Sequence, residues 1–169
     1  MDVSLENFEK ITIDGNVAAT MLGTSAADTL SGDSGADVIT GRGGADTLTG
    51  GSKSDKFVFT TGDTGITEAT ADTITDFSTG NDKIDIATVG SYVEADGSAN
   101  ANLAAFITDA DASLTTTSID IYAEYNFKGE GDTLVVIDEN KSGTVNTGDT
   151  LIILSGLSTA DGLDASDFI

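Results

Sequence analysis

The chain has 169 residues, with 29 acidic against 7 basic side chains, a formal charge of −22 and 38% hydrophobic residues. That length suffices for one medium-sized core, but a compact chain so charged repels itself unless something cationic neutralises it. Seven scattered basic residues make a poor phosphate-binding face and set nucleic acid aside as a partner, while the absence of His and Cys removes imidazole metal ligands, His-based acid–base catalysis, zinc sites and disulfides together.

Taken in chain order, residues 1 to 10 are acidic and lack the apolar core of an export leader, and no apolar run approaches membrane-spanning length, so no membrane insertion is expected. Val3 to Ala18 reads as a strand pair, and residues 1–22 are expected to be an N-terminal β cap or the continuation of an upstream β-rich domain.

A repeat begins next. Gly recurs at 23, 32, 41 and 50, and Asp at 28, 37, 46 and 55, each series spaced by nine, with Leu30, Ile39, Leu48 and Phe57 two residues after each Asp. A flexible linker has no reason to keep apolar residues in that register. Glycines and small residues let the backbone turn its carbonyl oxygens inward, and the Asp supplies a hard anionic oxygen, which is the donor set calcium prefers. The candidate metal-binding positions are therefore Asp28, Gly32, Ser34, Gly35, Asp37, Gly41, Gly43, Gly44, Asp46, Gly50, Ser52 and Asp55. The three residues after each Asp read as a short strand with its middle side chain inward, so that each repeat is half a coil.

These units, GTSAADTLS, GDSGADVIT, GRGGADTLT and GGSKSDKFV, resemble the G-G-x-G-x-D-x-U-x repeats of the RTX (repeats-in-toxin) family. The resemblance implies a parallel β-roll at residues 23–58, in which calcium ions lie between the loops of repeats i and i+2, and about two or three such ions for four repeats. Ala26 and Lys53 replace the fourth-position Gly, and Thr24, Asp33 and Arg42 the second, which marks the outer repeats as weak sites or caps.

Residues 57 to 86 alternate as strands around Ile74, Phe77, Ile84 and Ile86. Phe57, Phe59, Asp72, Ile74, Asp76, Phe77, Gly80, Asp82, Ile84 and Asp85 resemble the segment that follows the repeats in serralysin-type metalloproteases. That resemblance implies Asp63 and Asp72 as further calcium ligands, with Asp76, Asp82 and Asp85 capping turns and edges. The protease activity itself needs H-E-x-x-H, and the chain has no His.

Residues 87 to 118 are low in charge, and Leu103, Phe106 and Ile107 stand at helical spacing, which predicts one short helix. Strands are predicted to resume at Ser118 to Phe127, Thr133 to Asp138 and Thr150 to Leu154 as an antiparallel sheet. Between the last two, Asp138, Asn140, Ser142 and Asp149 occupy positions 1, 3, 5 and 12 of an EF-hand-like loop, with Gly143 at 6 and Thr144 offering its carbonyl at 7. Two readings stand level there: a calcium loop inside a β-hairpin, or a polar turn whose residues serve only backbone geometry.

The chain closes on STADGLDASDFI, which resembles the C-terminal signals of type I secretion substrates and places this segment at the end of a larger exported protein. Residues 59–169 are accordingly expected to be a β-rich region ending in that signal. The predicted class is all-β: a short parallel β-roll of nine-residue repeats continuing into an antiparallel β-sandwich-like part, with at most one short helix. The predicted function is a calcium-binding module, with calcium ions as cofactor, that folds outside the cell and supports type I secretion of a larger extracellular protein through its exporter. The alternative is a calcium-dependent adhesin or surface-layer lattice module, with copies of itself or a cell-surface polysaccharide as partner, and both place the protein outside the cell or on a bacterial surface. An enzyme is not expected: carboxylate pairs such as Asp82 with Asp85, or Asp109 with Asp111, lack the aromatic platform of a glycosidase, Trp being absent.

Overall fold

The nine-residue period of the sequence becomes an eighteen-residue coil. In the computed structural model, which describes residues 2–4, 10–12, 15–86, 90–114, 120–158 and 163–169, the chain forms β1 (Asp2–Ser4), β2 (Lys10–Thr12), β3 (Thr20–Leu22), β4 (Thr29–Ser31), β5 (Val38–Thr40), β6 (Thr47–Thr49), β7 (Lys56–Val58), β8 (Asp72–Ile74), β9 (Lys83–Asp85), β10 (Tyr92–Asp96), α1 (Leu103–Ser113), β11 (Asp120–Phe127), β12 (Asp132–Asp138) and β13 (Thr150–Leu154). Odd-numbered roll strands form one parallel sheet, β1-β3-β5-β7-β9, and even-numbered ones join the second sheet, so successive repeats fall on opposite sides. Met21 pairs with Ile39 and Ile39 with Phe57 on one side, Leu30 with Leu48 on the other. The expected alternation of half-coils is what the registers show.

Strands β3 to β7 and β9 each turn their middle side chain inward, and Met21, Leu30, Ile39, Leu48, Phe57 and Ile84 there, with Ile74 of β8, are all fully buried. Stacked between the two sheets they make the first core; burial of this kind is worth roughly 1.5–3 kcal/mol per side chain. The coil continues past the repeats, because Leu48 pairs with Ile74 and Phe57 with Ile84. Between β7 and β8 the chain makes a detour through 60–70, which stretches the coil on that side from 18 residues to 26.

The antiparallel strands extend the roll's second sheet, whose order is β10-β11-β12-β13-β8-β6-β4-β2, with β13 parallel to β8. Strands β11, β12 and β13 are antiparallel as predicted. The apolar runs 134–137 and 151–154 are nearly continuous because this part of the sheet is covered on both faces. Ile121, Val135, Ile137, Ile152 and Leu154 face the roll core, while Tyr122, Leu134, Val136 and Leu151 face α1, where Phe106 and Ala110 are fully buried. The helix starts at Asn102, whose side chain accepts the Ala105 N–H. Strand β10, absent from the sequence prediction, runs parallel to β11, so β10-α1-β11 is a crossover unit. The all-β class with one short helix is therefore observed. The predicted N-terminal strand pair differs: β1 and β2 lie in different sheets, and the rest of that stretch, like Ser118 and Ile119 of the predicted strand, lies outside the described residues. Among the described residues no helix is long and apolar enough to cross a membrane.

The end of the chain closes the first sheet. Phe168 bridges Ile84 in parallel, the Ile86 N–H donates to the Ile169 carbonyl and the Ile169 N–H to that of Ile84. Phe168 and Leu163 are buried, with the Phe168 ring 5.7 Å from that of Tyr92. The fully buried Asp167 carboxylate accepts the Gly80 N–H at 3.0 Å and pairs with Lys83 at 3.1 Å. Residues 159–162 of the predicted signal lie outside the described residues.

Candidate metal centre

The carboxylates of the repeats stand in two columns, one above the other at the strand entrances. In one column the Asp28 N–H donates to Asp46 Oδ1 and the Asp46 N–H to Asp72 Oδ1, both at 2.8 Å. In the other the Ala19 N–H donates to Asp37 Oδ1 (2.7 Å), the Asp37 N–H to Asp55 Oδ1 (2.8 Å) and the Asp55 N–H to Asp82 Oδ1 (2.9 Å). The carbonyls of the four repeat Asp residues are tied too: Asp28 O accepts from the Thr47 N–H, Asp37 O from Lys56, Asp46 O from Thr73 and Asp55 O from Lys83. Asp37, Asp46, Asp55, Asp72 and Asp82 thus each have one carboxylate oxygen fixed by a charge-assisted bond from the coil before.

The other oxygen is the informative one. Oδ2 of Asp37, Asp46, Asp55 and Asp72 is buried and has no hydrogen-bond partner, on residues at most 2% exposed. An unpaired buried carboxylate oxygen is strongly unfavourable without a donor or a cation. Its effect is visible in the proton affinities. Burial, with the neighbouring charges of Asp28 and Asp63 adding to it against an opposing backbone hydrogen bond, pushes the Asp46 carboxyl up to about 6. Burial does the same for Asp55, to about 6, with Asp82, Asp37 and Asp76 nearby, and for Asp72, to about 8, with Asp46 and Asp63 nearby.

The glycines form the other wall. A Cβ on Gly32 would sit 2.3 Å from Asp37 Oδ2 and 2.4 Å from the Gly50 carbonyl oxygen; on Gly41 it would be 2.3 Å from Asp46 Oδ2, and on Gly50 2.5 Å from Asp55 Oδ2. The unpaired oxygens of Asp37, Asp46 and Asp55 therefore press against bare glycine backbone, and at Gly32 a carbonyl oxygen of the next coil lies alongside. Gly44, at φ +126, lies against the Ala26 backbone, and Gly35 against the Val17 carbonyl, whereas a Cβ on Gly43 would meet only Ser25, at ordinary contact distance. The Ser52 N–H donates to the Asp33 carbonyl, and Ser34 is half-buried in its loop. Hard anionic and carbonyl oxygens are a calcium donor set, and the residues present fit that ion. Among the described residues no three carboxylates gather at one point, so carbonyl oxygens would have to complete each coordination shell.

Asp63 is half-buried at the end of the first column, and its Oδ2 accepts the Thr60 N–H and hydroxyl at 2.9 and 2.7 Å. Asp76 lies outside the columns and holds the Gly50 and Gly51 N–H groups. Asp82 is a sixth rung, a role that sequence reasoning missed, although its Asp-x-apolar triplet, shared with Asp72, repeats the signature of the four units. Thr64 was missed as well. Its buried hydroxyl accepts the Asp72 N–H at 3.0 Å and donates to the Leu151 carbonyl at 2.8 Å, tying the roll to the antiparallel strands.

The loop between β12 and β13 brings Asp138, Asn140, Ser142, Thr144 and Asp149 together, and leads into β13, which pairs with the strand β8 that carries Asp72. Here the oxygens are engaged by the loop itself. Asp138 accepts from the Ser142 and Gly143 N–H groups, and Asp149 from the Asn140 amide and the Asn146 N–H. The Ser142 hydroxyl donates to the Thr144 carbonyl. Burial, with Asp138 beside it, raises the Asp149 carboxyl to about 6.

Comparison with known proteins bears on the columns. Residues 22–56 match the RTX calcium-binding nonapeptide repeat in four copies. Solved structures similar to this chain include the solution structures of two subunits of the Azotobacter vinelandii mannuronan C5-epimerase. The AlgE6R3 subunit is 19% identical, covering 93% of this chain and 81% of its own, with a TM-score of 0.36. The AlgE6R2 subunit is also 19% identical, covering 92% of each chain, with a TM-score of 0.37. No curated protein sequence matches. Residues 22–56 are RTX calcium-binding nonapeptide repeats, and the parallel β-roll they build is a calcium-binding module.

Proposed function

We propose that this chain is a folding switch, loosely ordered without calcium and ordered with it, that serves export and extracellular assembly of a larger protein. Asp37, Asp46, Asp55 and Asp72, with the backbone of Gly32, Ser34, Gly35, Gly41, Gly43, Gly44, Gly50 and Ser52, would hold the ions. Bound there, calcium supplies positive charge and oxygen coordination that no side chain of the roll provides. The observation that carries this reading is the set of four buried Oδ2 atoms without a partner. A chain of charge −22 with its repeat carboxylates unneutralised is disfavoured in the compact state. An ion that binds only the folded form stabilises it by about 2.7 kcal/mol per site at a hundredfold excess over its dissociation constant.

Low calcium inside the cell would keep the chain threadable for a type I exporter, and abundant calcium outside would fold it, on the cell surface or in the medium. The division into an N-terminal cap (1–22), a roll (23–58) and a C-terminal region bearing the signal (59–169) belongs to the same proposal. Circular dichroism and titration calorimetry of the chelator-stripped chain, with calcium and magnesium in parallel, test it. Cooperative gain of β-structure with calcium alone supports the switch, and a chain already folded and indifferent to calcium refutes it. Calcium-dependent association of copies, or binding to an anionic polysaccharide, in the same titration would favour the adhesion or lattice alternative.

A further inference from the structure

The six rungs are not equivalent, and the first and the last in chain order differ from the rest. Oδ2 of Asp28 accepts both the Thr24 N–H at 2.6 Å and the Thr24 hydroxyl at 2.9 Å. Oδ2 of Asp82 accepts the Ser78 N–H at 2.9 Å. In both cases the N–H lies four residues upstream of the carboxylate. The four rungs between them lack any such donor at Oδ2. At Asp55 the N–H four residues upstream, that of Gly51, is engaged elsewhere, by Asp76 at 2.8 Å.

We infer that the roll takes calcium at Asp37, Asp46, Asp55 and Asp72, and that Asp28, at one end of the first column, and Asp82, at the opposite end of the second, are ion-free caps satisfied by Thr24 and Ser78. This rests on the proposed calcium-binding function of the roll and sharpens it. A cation and a hydrogen-bond donor compete for the same lone pairs, of which donors take both at Asp28 Oδ2 and one of the two at Asp82 Oδ2. An oxygen with no partner gives up nothing. Thr24, where the repeat pattern has Gly, is then the residue that decides whether the first repeat binds. Its N–H and hydroxyl take the ion's place at Asp28. Each column is thus closed without an ion at one of its ends, the first at Asp28 and the second at Asp82.

The test is calcium stoichiometry of the full chain by titration calorimetry, with circular dichroism in saturating calcium to confirm folding. Asp46→Asn and Asp55→Asn are expected to bind about one ion fewer or to lose tenfold or more in affinity, whereas Asp28→Asn and Asp82→Asn keep the wild-type stoichiometry. Equal losses at Asp28 and Asp46 in folded variants would overturn the inference. A wild-type chain that binds no calcium would instead sink the functional reading beneath it. A second measurement does not depend on Asp28→Asn folding. In calcium-saturated wild-type protein the Thr24 amide stays bonded to Asp28 and exchanges its hydrogen slowly, and fast exchange at Thr24 within an otherwise protected roll would contradict the assignment.

Discussion

Gly32 and Gly43 are both glycines of the repeat pattern, yet replacing them by Ala should have opposite consequences. Neither has a φ in the left-handed range, so the difference is purely one of space. On Gly32 the new methyl lies 2.3 Å from Asp37 Oδ2 and 2.4 Å from the Gly50 carbonyl oxygen, about 1 Å inside an ordinary contact. The second obstacle is backbone of the adjacent coil and cannot swing away. Overpacking of this kind costs about 1–3 kcal/mol, and the upper end applies here, which for a chain of this size lowers the melting temperature by about 6–12 °C. Calcium affinity should fall with it, because Asp37 Oδ2 is the oxygen displaced. On Gly43 the nearest atoms are Ser25 Cα at 3.8 Å and Ser25 O at 4.0 Å, and loss of glycine's freedom in the unfolded chain should stabilise by about 0.4–1 kcal/mol. Thermal melts in saturating calcium, with calorimetric titration of both variants, measure this. If Gly32→Ala melts like wild type, or if the two substitutions are equally harmful, the packing of the carboxylate against the next coil is wrong.

Acidification should stabilise the calcium-free chain. Asp46 and Asp55, at about 6, and Asp72, at about 8, bind protons more tightly when folded than at the ordinary carboxylate value of 3.8. Stability is then full below about pH 4 for these groups and is lost as pH rises through 6 to 8; chemical denaturation in chelator at pH 5 and pH 8 should show the greater stability at pH 5. Protons compete with calcium for the same oxygens, so calcium affinity should fall as the pH drops from 8 to 5, as titration calorimetry would detect. Ile39→Ala empties a fully buried position stacked between Met21 and Phe57 and should cost about 2–5 kcal/mol in calcium-saturated denaturation. Asp167→Asn leaves the shape of the tail intact but strips the charge that pairs with Lys83. A loss of about 1–3 kcal/mol is expected, with earlier proteolytic release of the C-terminal residues, and unchanged protease resistance would count against the docked tail.

The repeats were legible because two periods coincide in them: Gly and Asp mark every turn, and Leu30, Ile39, Leu48 and Phe57 mark every inward strand position. The helix was legible from Leu103, Phe106 and Ile107, and β12 and β13 from runs of branched apolar residues. Strand β10 was not, since Tyr-Val-Glu-Ala-Asp carries little apolar signal and its pairing with β11 is parallel across a helix, a long-range fact that no local pattern encodes. Likewise the strands at 2–4 and 10–12 belong to the coil by backbone register alone, without the Gly and Asp markers. Within the site, the sequence identified which Asp residues line up but not what each of their oxygens touches. Thr24, Ser78 and Thr64 act through hydrogen bonds to carboxylate or backbone, and Ser and Thr are too common in this chain for that role to stand out. The distinction between the columns and the 138–149 loop is of the same kind. Both are rich in Asp and Gly, and only the structure separates oxygens left without partners from oxygens already engaged.

The central claim is that calcium sits in the roll against the unpaired carboxylate oxygens. A crystal structure of the calcium-saturated chain, with the ions located by their anomalous scattering, tests it most directly. The account predicts ions about 2.3–2.6 Å from Oδ2 of Asp37, Asp46, Asp55 and Asp72, each completed by backbone carbonyls of the facing glycine loops. Ions confined to the 138–149 loop, or columns of carboxylates with no ion between them in saturating calcium, would contradict it.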